Sequence, residues 1–264
     1  MTVSSGKGGV GKTNITVNLA LALRLLGKKV MAMDSDLGLG DINLLLGRSP
    51  SWGIKNFLNG EKSLADVLYE GPGGISVLPT DFDLNLDINL NENQKAVFLN
   101  ELNVIGETTD FFLIDTGTGI SSNVIFFNLI ANDSIVITTP EPTSIAGASS
   151  LIRVVGMKNP KKYFLILVNL ARDEAEAKEA FRKLCRAVDQ KSVFLAMGYL
   201  GYIPYDEYLP MAVRNQNVVL ASFPEAASSR KIVEIARTLI GRSKQRSFLE
   251  EMRMGSGGFR PEGN

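Results

Sequence analysis

Near the start of the chain, a glycine-rich stretch ends in a lysine and a hydroxyl residue, Lys12 and Thr13. Residues 5–13 satisfy the phosphate-binding pattern G-x-x-x-x-G-K-[ST]. Glycines let consecutive backbone N–H groups approach a polyphosphate closely, and the following helix N-terminus favours an anion. Lys12 is expected to contact the β- and γ-phosphates, and the Thr13 hydroxyl to bind Mg²⁺. The residues expected to bind the nucleotide here are Gly6, Gly8, Gly9, Val10, Gly11, Lys12, Thr13 and Asn14.

Carboxylates follow two later apolar runs. Asp34 and Asp36 come after residues 30–33, and Asp115 comes after residues 111–114. Hydrolysis of a nucleoside triphosphate needs a group that orients water and acidic side chains that support Mg²⁺. Asp115 is expected to hold a Mg²⁺-bound water, and Asp34 is expected to support the metal through water. The alternative for Asp34 and Asp36 is that they cap the loop and the helix that follows.

The composition excludes several classes of protein. At 264 residues the chain fits one α/β domain better than two, and its formal net charge is zero. The charge balance gives no global electrostatic reason to expect specific nucleic-acid binding. With no histidine and one cysteine, a disulfide framework, a zinc site or a haem site is not expected. No apolar run reaches the roughly 18 residues of a membrane span, and we expect a cytoplasmic protein.

Apolar strand patterns alternate with helical patterns along most of the chain. This alternation predicts a doubly wound, mostly parallel sheet with helices on both faces and functional loops at the carboxyl ends of the strands. Residues 1–241 are expected to form a P-loop ATPase domain and residues 242–264 a C-terminal tail. The predicted strands after the first are 30–33, 75–78, 111–114, 135–138, 163–168 and 199–203, and the predicted helices are 14–26, 92–106, 121–131, 143–156 and 172–188.

A second lysine, Lys7, follows the first glycine of the motif, so the loop reads G-K-G-G-V-G-K-T. Here the sequence resembles the deviant Walker A family of MinD and ParA ATPases. The resemblance implies ATP and Mg²⁺ as ligands and an ATP-dependent homodimer in which Lys7 reaches the nucleotide of the partner subunit. It also implies that Asp36 positions the attacking water. The alternative for Lys7 is a solvated loop lysine.

Two further positions match those that bracket adenine in this family. Asn169 ends a predicted strand, and Pro204 and Asp206 follow the last one within I-P-x-D. An asparagine suits an amino-purine edge because it offers both a donor and an acceptor. Asp206 could instead cap a helix over residues 207–214, and both roles could coexist.

Several stretches resemble the FlhG (FleN) branch of the family most, among them Thr-Pro-Glu-Pro-Thr-Ser over residues 139–144. That branch implies control of flagellar number or placement. It also implies an FlhF-like GTPase and flagellar C-ring or regulatory proteins as partners. The alternatives are a division-site MinD, a DNA-partition ParA, and a nucleotide-dependent scaffold whose hydrolysis a partner supplies.

The tail is where contact with a membrane would be encoded. Basic residues at 242, 244, 246 and 253 surround Phe248, Leu249 and Met252, which form one helical stripe. A short basic amphipathic helix can lie in an anionic membrane surface, which would make the protein peripheral at the inner face of the cell membrane. The alternative is a frayed helix end or a disordered tail.

Overall fold

The glycine-rich loop connects the central strand of a sheet to a long buried helix. The structure, a computed structural model, describes residues 1–35, 41–80, 91–189 and 195–255, with only the backbone for residues 102, 103 and 246–255. The strands are β1 (Thr2–Ser5), β2 (Val30–Asp34), β3 (Tyr69–Glu70), β4 (Ser76–Leu78), β5 (Phe111–Thr118), β6 (Ser134–Thr138), β7 (Tyr163–Ala171) and β8 (Ala196–Pro204).

The helices occupy most of the described chain between these strands. They are α1 (Lys12–Leu25), α2 (Asp41–Leu45), α3 (Ile54–Leu58), α4 (Leu64–Val67), α5 (Glu92–Thr108), α6 (Ser122–Ile130), α7 (Pro142–Lys158), α8 (Glu174–Asp189), α9 (Tyr208–Arg214), α10 (Val219–Ser222) and α11 (Ala227–Gly255). A single 3₁₀ turn covers Pro72–Gly74.

The eight strands form one sheet in the order β3-β4-β2-β5-β1-β6-β7-β8. Among the described strands only β3 is antiparallel to its neighbour, so the carboxyl ends of the other seven lie along one edge. β1 lies in the middle, between β5 and β6. The loops that follow β1, β2, β5, β6, β7 and β8 are therefore neighbours, and the predicted fold class is confirmed.

Helices cover both faces of the sheet. One apolar cluster packs α1, α2 and α9–α11 against the sheet, and two others pack α3–α8 against the opposite face. α1 is buried almost all round, as its nearly continuous apolar sequence predicts, and it begins two residues earlier than expected, at Lys12. It ends at Gly27, whose φ of 81° is left-handed and therefore favours glycine.

Most long elements agree with the sequence patterns, but the longest described helix, α11, and several short elements were not predicted. The two-residue strand β3 and the four- or five-residue helices α2, α3, α4 and α10 span too few residues to show a period. α11 continues without a break across the predicted boundary at residue 241. Asn91 caps α5, which begins at Glu92 as predicted. No helix in the described part of the chain is long and apolar enough to cross a membrane.

Candidate nucleotide-binding site

The P-loop leaves the carboxyl end of β1 and enters α1 through left-handed glycines. Gly9 and Gly11 have φ of 76° and 86°, and Gly11 is the N-cap of α1. Because L-residues rarely adopt these angles, both positions favour glycine. Gly8 and Gly9 are exposed, whereas Val10 is buried and anchors the loop to the core. The N-terminal N–H groups of α1 thus open toward the rim of the sheet, where an anion binds favourably.

Lys12 and Asp115 form a buried ion pair beneath this loop. Lys12 Nζ lies 3.1 Å from Asp115 Oδ1, and the two side chains are 8% and 1% exposed. Thr16, one turn after Lys12, donates to the same carboxylate oxygen at 3.3 Å. Burial raises the pKa of the Asp115 carboxyl above its ordinary value, against the opposing effects of Lys12 and of the Thr13 and Thr16 hydroxyls.

The second oxygen of Asp115 has no hydrogen-bond partner among the described residues although it is buried. A buried carboxylate oxygen without a donor is unfavourable, and a metal-bound water would supply the missing contact. The Thr13 hydroxyl, at the start of α1, offers a further oxygen ligand. The residues present therefore fit a Mg²⁺ ion, although the described residues contain no cluster of three or more acidic, histidine or cysteine side chains that could hold one alone.

Asp34 lies beside Asp115 at the ends of two paired strands. The two residues are register partners in the β2–β5 ladder, and both are buried. Asp34 Oδ2 accepts a hydrogen bond from the backbone N–H of Ile42 at 3.1 Å, which fits the capping alternative. Asp36 lies outside the described residues, so its proposed role in orienting water stays a prediction.

Lys7 sits at the rim of the P-loop and contacts its own chain. Its Nζ lies 2.6 Å from Glu141 Oε2 and donates to Thr143 Oγ1 at 3.0 Å. Glu141 and Thr143 belong to the Glu-Pro-Thr-Ser stretch at the start of α7. The two lysines of the motif therefore have separate environments, one buried at the phosphate position and one half-exposed at the edge.

Helix α7 also touches the P-loop through two glycines. A Cβ placed on Gly147 would lie 2.7 Å from the carbonyl oxygen of Gly6, and one on Gly6 would lie 1.9 Å from the carbonyl carbon of Gly147. Only glycine fits at either position without moving a backbone. The start of the loop is thus held directly against a helix from another part of the chain.

Asn169 lies against the opposite side of the P-loop. Its Nδ2 donates to the Val10 carbonyl at 2.7 Å, whereas its buried Oδ1 has no partner among the described residues. The next residue, Leu170, has a φ of 58°, which is strained for a leucine, and its side chain is 40% exposed. β7 pairs irregularly with β8 at this point.

Asp206 binds the backbone of two helices. Its carboxylate accepts from the N–H groups of Tyr208 and Ser228, each at 2.9 Å. Burial would raise the pKa of Asp206, but these backbone hydrogen bonds outweigh it and lower the pKa below its ordinary value. Asp206 therefore bonds the first residue of α9 and joins that helix to the start of α11, which agrees with the capping alternative. Its role at the base stays a prediction. Pro204 is the last residue of β8.

The structure brings most of the predicted site residues to one edge of the sheet. Asn14 is an exception, because its side-chain oxygen accepts a hydrogen bond from Asn18, which lies one turn along α1 and is not a predicted site residue. Sequence reasoning missed three contacts: Thr16 with Asp115, Glu141 with Lys7, and Gly147 with Gly6. The four-residue spacing from Lys12 could have indicated Thr16, since it places both on one helix face. Nothing local in the sequence indicates the other two.

Known proteins resemble this chain over most of its length. A family model described as an AAA domain matches residues 1–163. The antiactivator FleN of Pseudomonas aeruginosa is 36% identical over 237 residues, which cover 90% of this chain and 84% of FleN. The flagellum site-determining protein YlxH of Helicobacter pylori is 29% identical over 244 residues, 92% of this chain and 82% of YlxH.

A solved structure shares the fold. A chain of the MinC:MinD cell division protein complex of Aquifex aeolicus superposes with a TM-score of 0.72 at 25% identity. The superposition covers 91% of this chain and 95% of that one.

Proposed function

Because the chain belongs to the MinD/ParA family of P-loop ATPases, we propose that it is an ATP-dependent, dimerising switch with slow hydrolysis. The observation that carries this proposal is the pair of motif lysines, Lys12 buried against Asp115 and Lys7 half-exposed at the rim. We further propose that it controls flagellar number or placement, because FleN and YlxH are similar over most of their lengths. An FlhF-like GTPase and flagellar C-ring or regulatory proteins are the proposed partners.

In this proposal the P-loop backbone and Lys12 bind the ATP phosphates. Thr13, Asp34 and Asp115 would hold Mg²⁺, directly or through water, and the unpartnered oxygen of Asp115 supports that assignment. When bound, Mg²⁺ neutralises charge that develops on the β- and γ-phosphates. Lys12 leaves Asp115 for the phosphates when nucleotide arrives, which frees the carboxylate for its metal-bound water.

Asp36 would orient the attacking water. We expect Asp36→Ala to bind ATP, to hydrolyse it at least about 100-fold more slowly because no carboxylate aligns the water, and to accumulate as a dimer. Phosphate release and solution mass measure the two effects. Full hydrolysis by this variant would overturn the role of Asp36, and it is the result that a scaffold with partner-supplied hydrolysis predicts.

Asn169, Pro204 and Asp206 would surround the base. The buried Oδ1 of Asn169 has no partner among the described residues, and Val10 holds the amide through Nδ2. That oxygen can accept from the amino group of adenine, where guanine offers a carbonyl. We expect ATP to bind at least about tenfold more tightly than GTP, the value of one good hydrogen bond. Asn169→Ala should remove most of that difference, measured by nucleotide titration, and equal affinities in the unaltered protein would contradict this reading.

The test is the mass in solution with ADP and with a non-hydrolysable ATP analogue, each with and without anionic liposomes. The proposal expects a dimer with the ATP analogue and a monomer with ADP. Lys7→Ala should stay a monomer with either nucleotide while still binding it. Sedimentation of the dimer with liposomes, lost in Phe248→Glu, would assign peripheral membrane contact to the tail.

The remaining outcomes separate the alternatives. A dimer that ignores liposomes but binds DNA in a salt-dependent way would favour a ParA-type partition function. A dimer that recruits a MinC-like partner would favour a MinD-type division function. The absence of any nucleotide-dependent dimer would overturn the role of Lys7 and the switch with it.

A further inference from the structure

The strand that leads into the P-loop carries polar side chains on a face where apolar ones would pack well. Thr2 and Ser4 of β1 are fully buried toward α6. With three other fully buried polar residues they form a hydrogen-bonded group that we call the Asn128 cluster. Its members are Thr2, Ser4, Thr116, Asn128 and Ser134. Hydrogen bonds within the cluster offset the free-energy cost of burying these polar groups. Because hydrogen bonds are directional, they also fix the relative positions of the side chains more strictly than apolar contacts do.

Asn128 is the centre of this cluster. Its Oδ1 accepts from Thr2 Oγ1 at 3.0 Å, and its Nδ2 donates to Ser4 Oγ at 2.9 Å and to the carbonyl of Val124 at 2.8 Å. One carboxamide on α6 thus bonds two successive inward-facing residues of β1. Because the amide has a donor end and an acceptor end, a shift of β1 along its axis would break both bonds together.

The cluster continues from β1 to the end of β5. Ser4 Oγ accepts from Thr116 Oγ1 at 3.0 Å, and Thr116 directly follows Asp115. Here the β1–β5 ladder is irregular, because Val3 pairs with Asp115 but Ser5 pairs with Thr118. One extra residue on β5 therefore lies opposite Ser4, and the Ser4–Thr116 bond spans this bulge. Bulges next to functional sites commonly re-aim the chain.

The bulge directs the segment that leaves Asp115 toward the P-loop. After it, the N–H of Gly119 donates to the carbonyl of Ser5, the last residue of β1. We propose that Asn128 is a positioning residue for ATP hydrolysis: through Ser4 and Thr116 it fixes the β5 bulge, and with it the alignment of Asp115 and residues 117–119 over the P-loop. This inference rests on the proposed ATPase function.

The Thr116 hydroxyl has a choice of two acceptors. It has one hydrogen but two acceptors within reach, Ser4 Oγ at 3.0 Å and the Gly117 carbonyl at 2.9 Å. Asn128 holds Ser4 in place as the first of these acceptors. Loss of Asn128 releases Ser4, so the Thr116 hydroxyl keeps only its bond to Gly117. The bulge then loses its side-chain tie to β1, which loosens the segment after Asp115. Ground-state nucleotide binding depends on the P-loop itself and is retained.

The test compares Asn128→Ala with a matched control, Val124→Ala. Val124 is a buried residue of the same helix whose side chain lies outside the cluster. We expect Asn128→Ala to lower kcat for ATP hydrolysis at least about tenfold with KM within about threefold. Val124→Ala should leave kcat within about twofold at a comparable loss of stability.

A second variant separates positioning from folding. Ser4→Ala, Thr116→Val and Asn128→Leu together replace the central polar residues with apolar ones of similar shape, which removes unpaired buried groups. We expect this triple variant to fold stably but to hydrolyse ATP as slowly as Asn128→Ala does. Hydrolysis by it at the wild-type rate would overturn the inference.

A third readout does not depend on hydrolysis. Without nucleotide, amide hydrogen exchange at Gly119 should speed up at least about tenfold in Asn128→Ala relative to Val124→Ala, because the bond to Ser5 is lost. Equal exchange in the two variants would overturn the inference even if the protein is an ATPase. An unaltered protein that hydrolyses no ATP would instead overturn the proposed function, and exchange would still decide whether Asn128 fixes the bulge.

Discussion

In the proposed function, the buried pair of Lys12 and Asp115 would couple phosphate binding to metal binding at the level of single atoms. Each side chain is nearly inaccessible, so each depends on the other for charge compensation while no ligand is bound. Thr16 adds a bond to the same oxygen of Asp115. In the proposed function, a nucleotide with its metal would replace both halves of the pair at once, so neither charge would be left uncompensated when they separate.

Removal of one member of this pair has two measurable effects. Lys12→Ala should weaken nucleotide binding at least about 100-fold and lower the free energy of unfolding by about 3–5 kcal/mol, the usual cost of leaving a buried charge unpaired. Nucleotide titration and denaturant unfolding measure these. The control Lys28→Ala breaks an ion pair to Asp110 at the surface and should change neither by much. Nucleotide affinity within tenfold of wild type would contradict the role of Lys12.

Asp206 predicts a dependence of stability on pH. Its pKa lies below the ordinary value in the folded protein, so its contribution is full above about pH 4 and is lost as the pH falls through the folded pKa. Asp206→Asn keeps one acceptor oxygen and loses the other, so it should lower the free energy of unfolding by about 1 kcal/mol at pH 7, the usual value of a hydrogen bond. The difference in the free energy of unfolding between Asp206→Asn and the wild type should shrink at pH 3. The neighbouring variant Glu207→Gln is the control and should show no such change. A difference that grows in acid would contradict the assignment.

At the residue scale, the sequence predicted the side chains that a motif names but not what else they touch. Lys12, Asp34 and Asp115 lie together as expected, because the carboxyl ends of parallel strands share an edge. The bond from Asn169 to Val10 could not be predicted, since it joins residues far apart in the chain through a strained turn at Leu170. Likewise, Thr2 and Ser4 show their role only once α6 places Asn128 beside them.

At the scale of elements, helix α7 supports the P-loop through a contact between two glycines. Gly147 lies one to two turns into α7, and its Cα faces the backbone of Gly6. The same helix begins with Glu141, the partner of Lys7. A displacement of α7 therefore moves both the start of the loop and its rim lysine.

One added methyl group tests this support. Gly147→Ala should push α7 from the P-loop, because the Cβ would meet the Gly6 backbone at 2.7 Å, and should weaken ATP binding at least about tenfold. The control is Gly106→Ala in α5, where nothing lies within 4 Å and alanine should stabilise the helix by up to about 1 kcal/mol. Equal ATP affinity in the two variants, by titration, would show that α7 does not support the loop.

Most elements of three turns or more were predictable because each shows a full hydrophobic period, whereas α11 was not predicted over residues 227–241. The buried strands and α1, α5, α7 and α8 all exist near their predicted bounds. The edge strand β3 and helices α2–α4 depend instead on tertiary contacts, such as Ile54 and Phe57 packing under the sheet. Their sequences are too short for local preference to decide.

At the scale of the whole molecule, the Lys7–Glu141 pair sets a small cost for assembly. In the proposed dimer Lys7 must leave Glu141 before it can reach the nucleotide of the partner subunit. The two side chains are 41% and 62% exposed, so their attraction is screened by solvent. A surface pair of this kind contributes about 0.5 kcal/mol, and a symmetric dimer breaks two.

Release of that restraint should therefore favour the dimer modestly. Glu141→Gln is expected to tighten ATP-dependent dimerisation about fivefold, the equivalent of about 1 kcal/mol, and the gain should fade at high salt. Sedimentation velocity with the ATP analogue measures it. Glu92→Gln breaks a surface pair to Lys95 within α5 that does not involve the P-loop, and it should leave dimerisation unchanged. Weaker dimerisation of Glu141→Gln would mean that Glu141 itself supports the assembled state.

The central position of β1 also has a consequence for how the protein is made. β1 is synthesised before β5 and β6, yet Thr2 pairs with Ile114 on one side and with Ser134 on the other. The P-loop cannot take its final shape on the ribosome until β6 and α7 have emerged, and contacts of such long range form slowly. We therefore expect nucleotide to bind only once β5, β6 and α7 are in place, and ATP added during refolding should trap the finished fold rather than nucleate it.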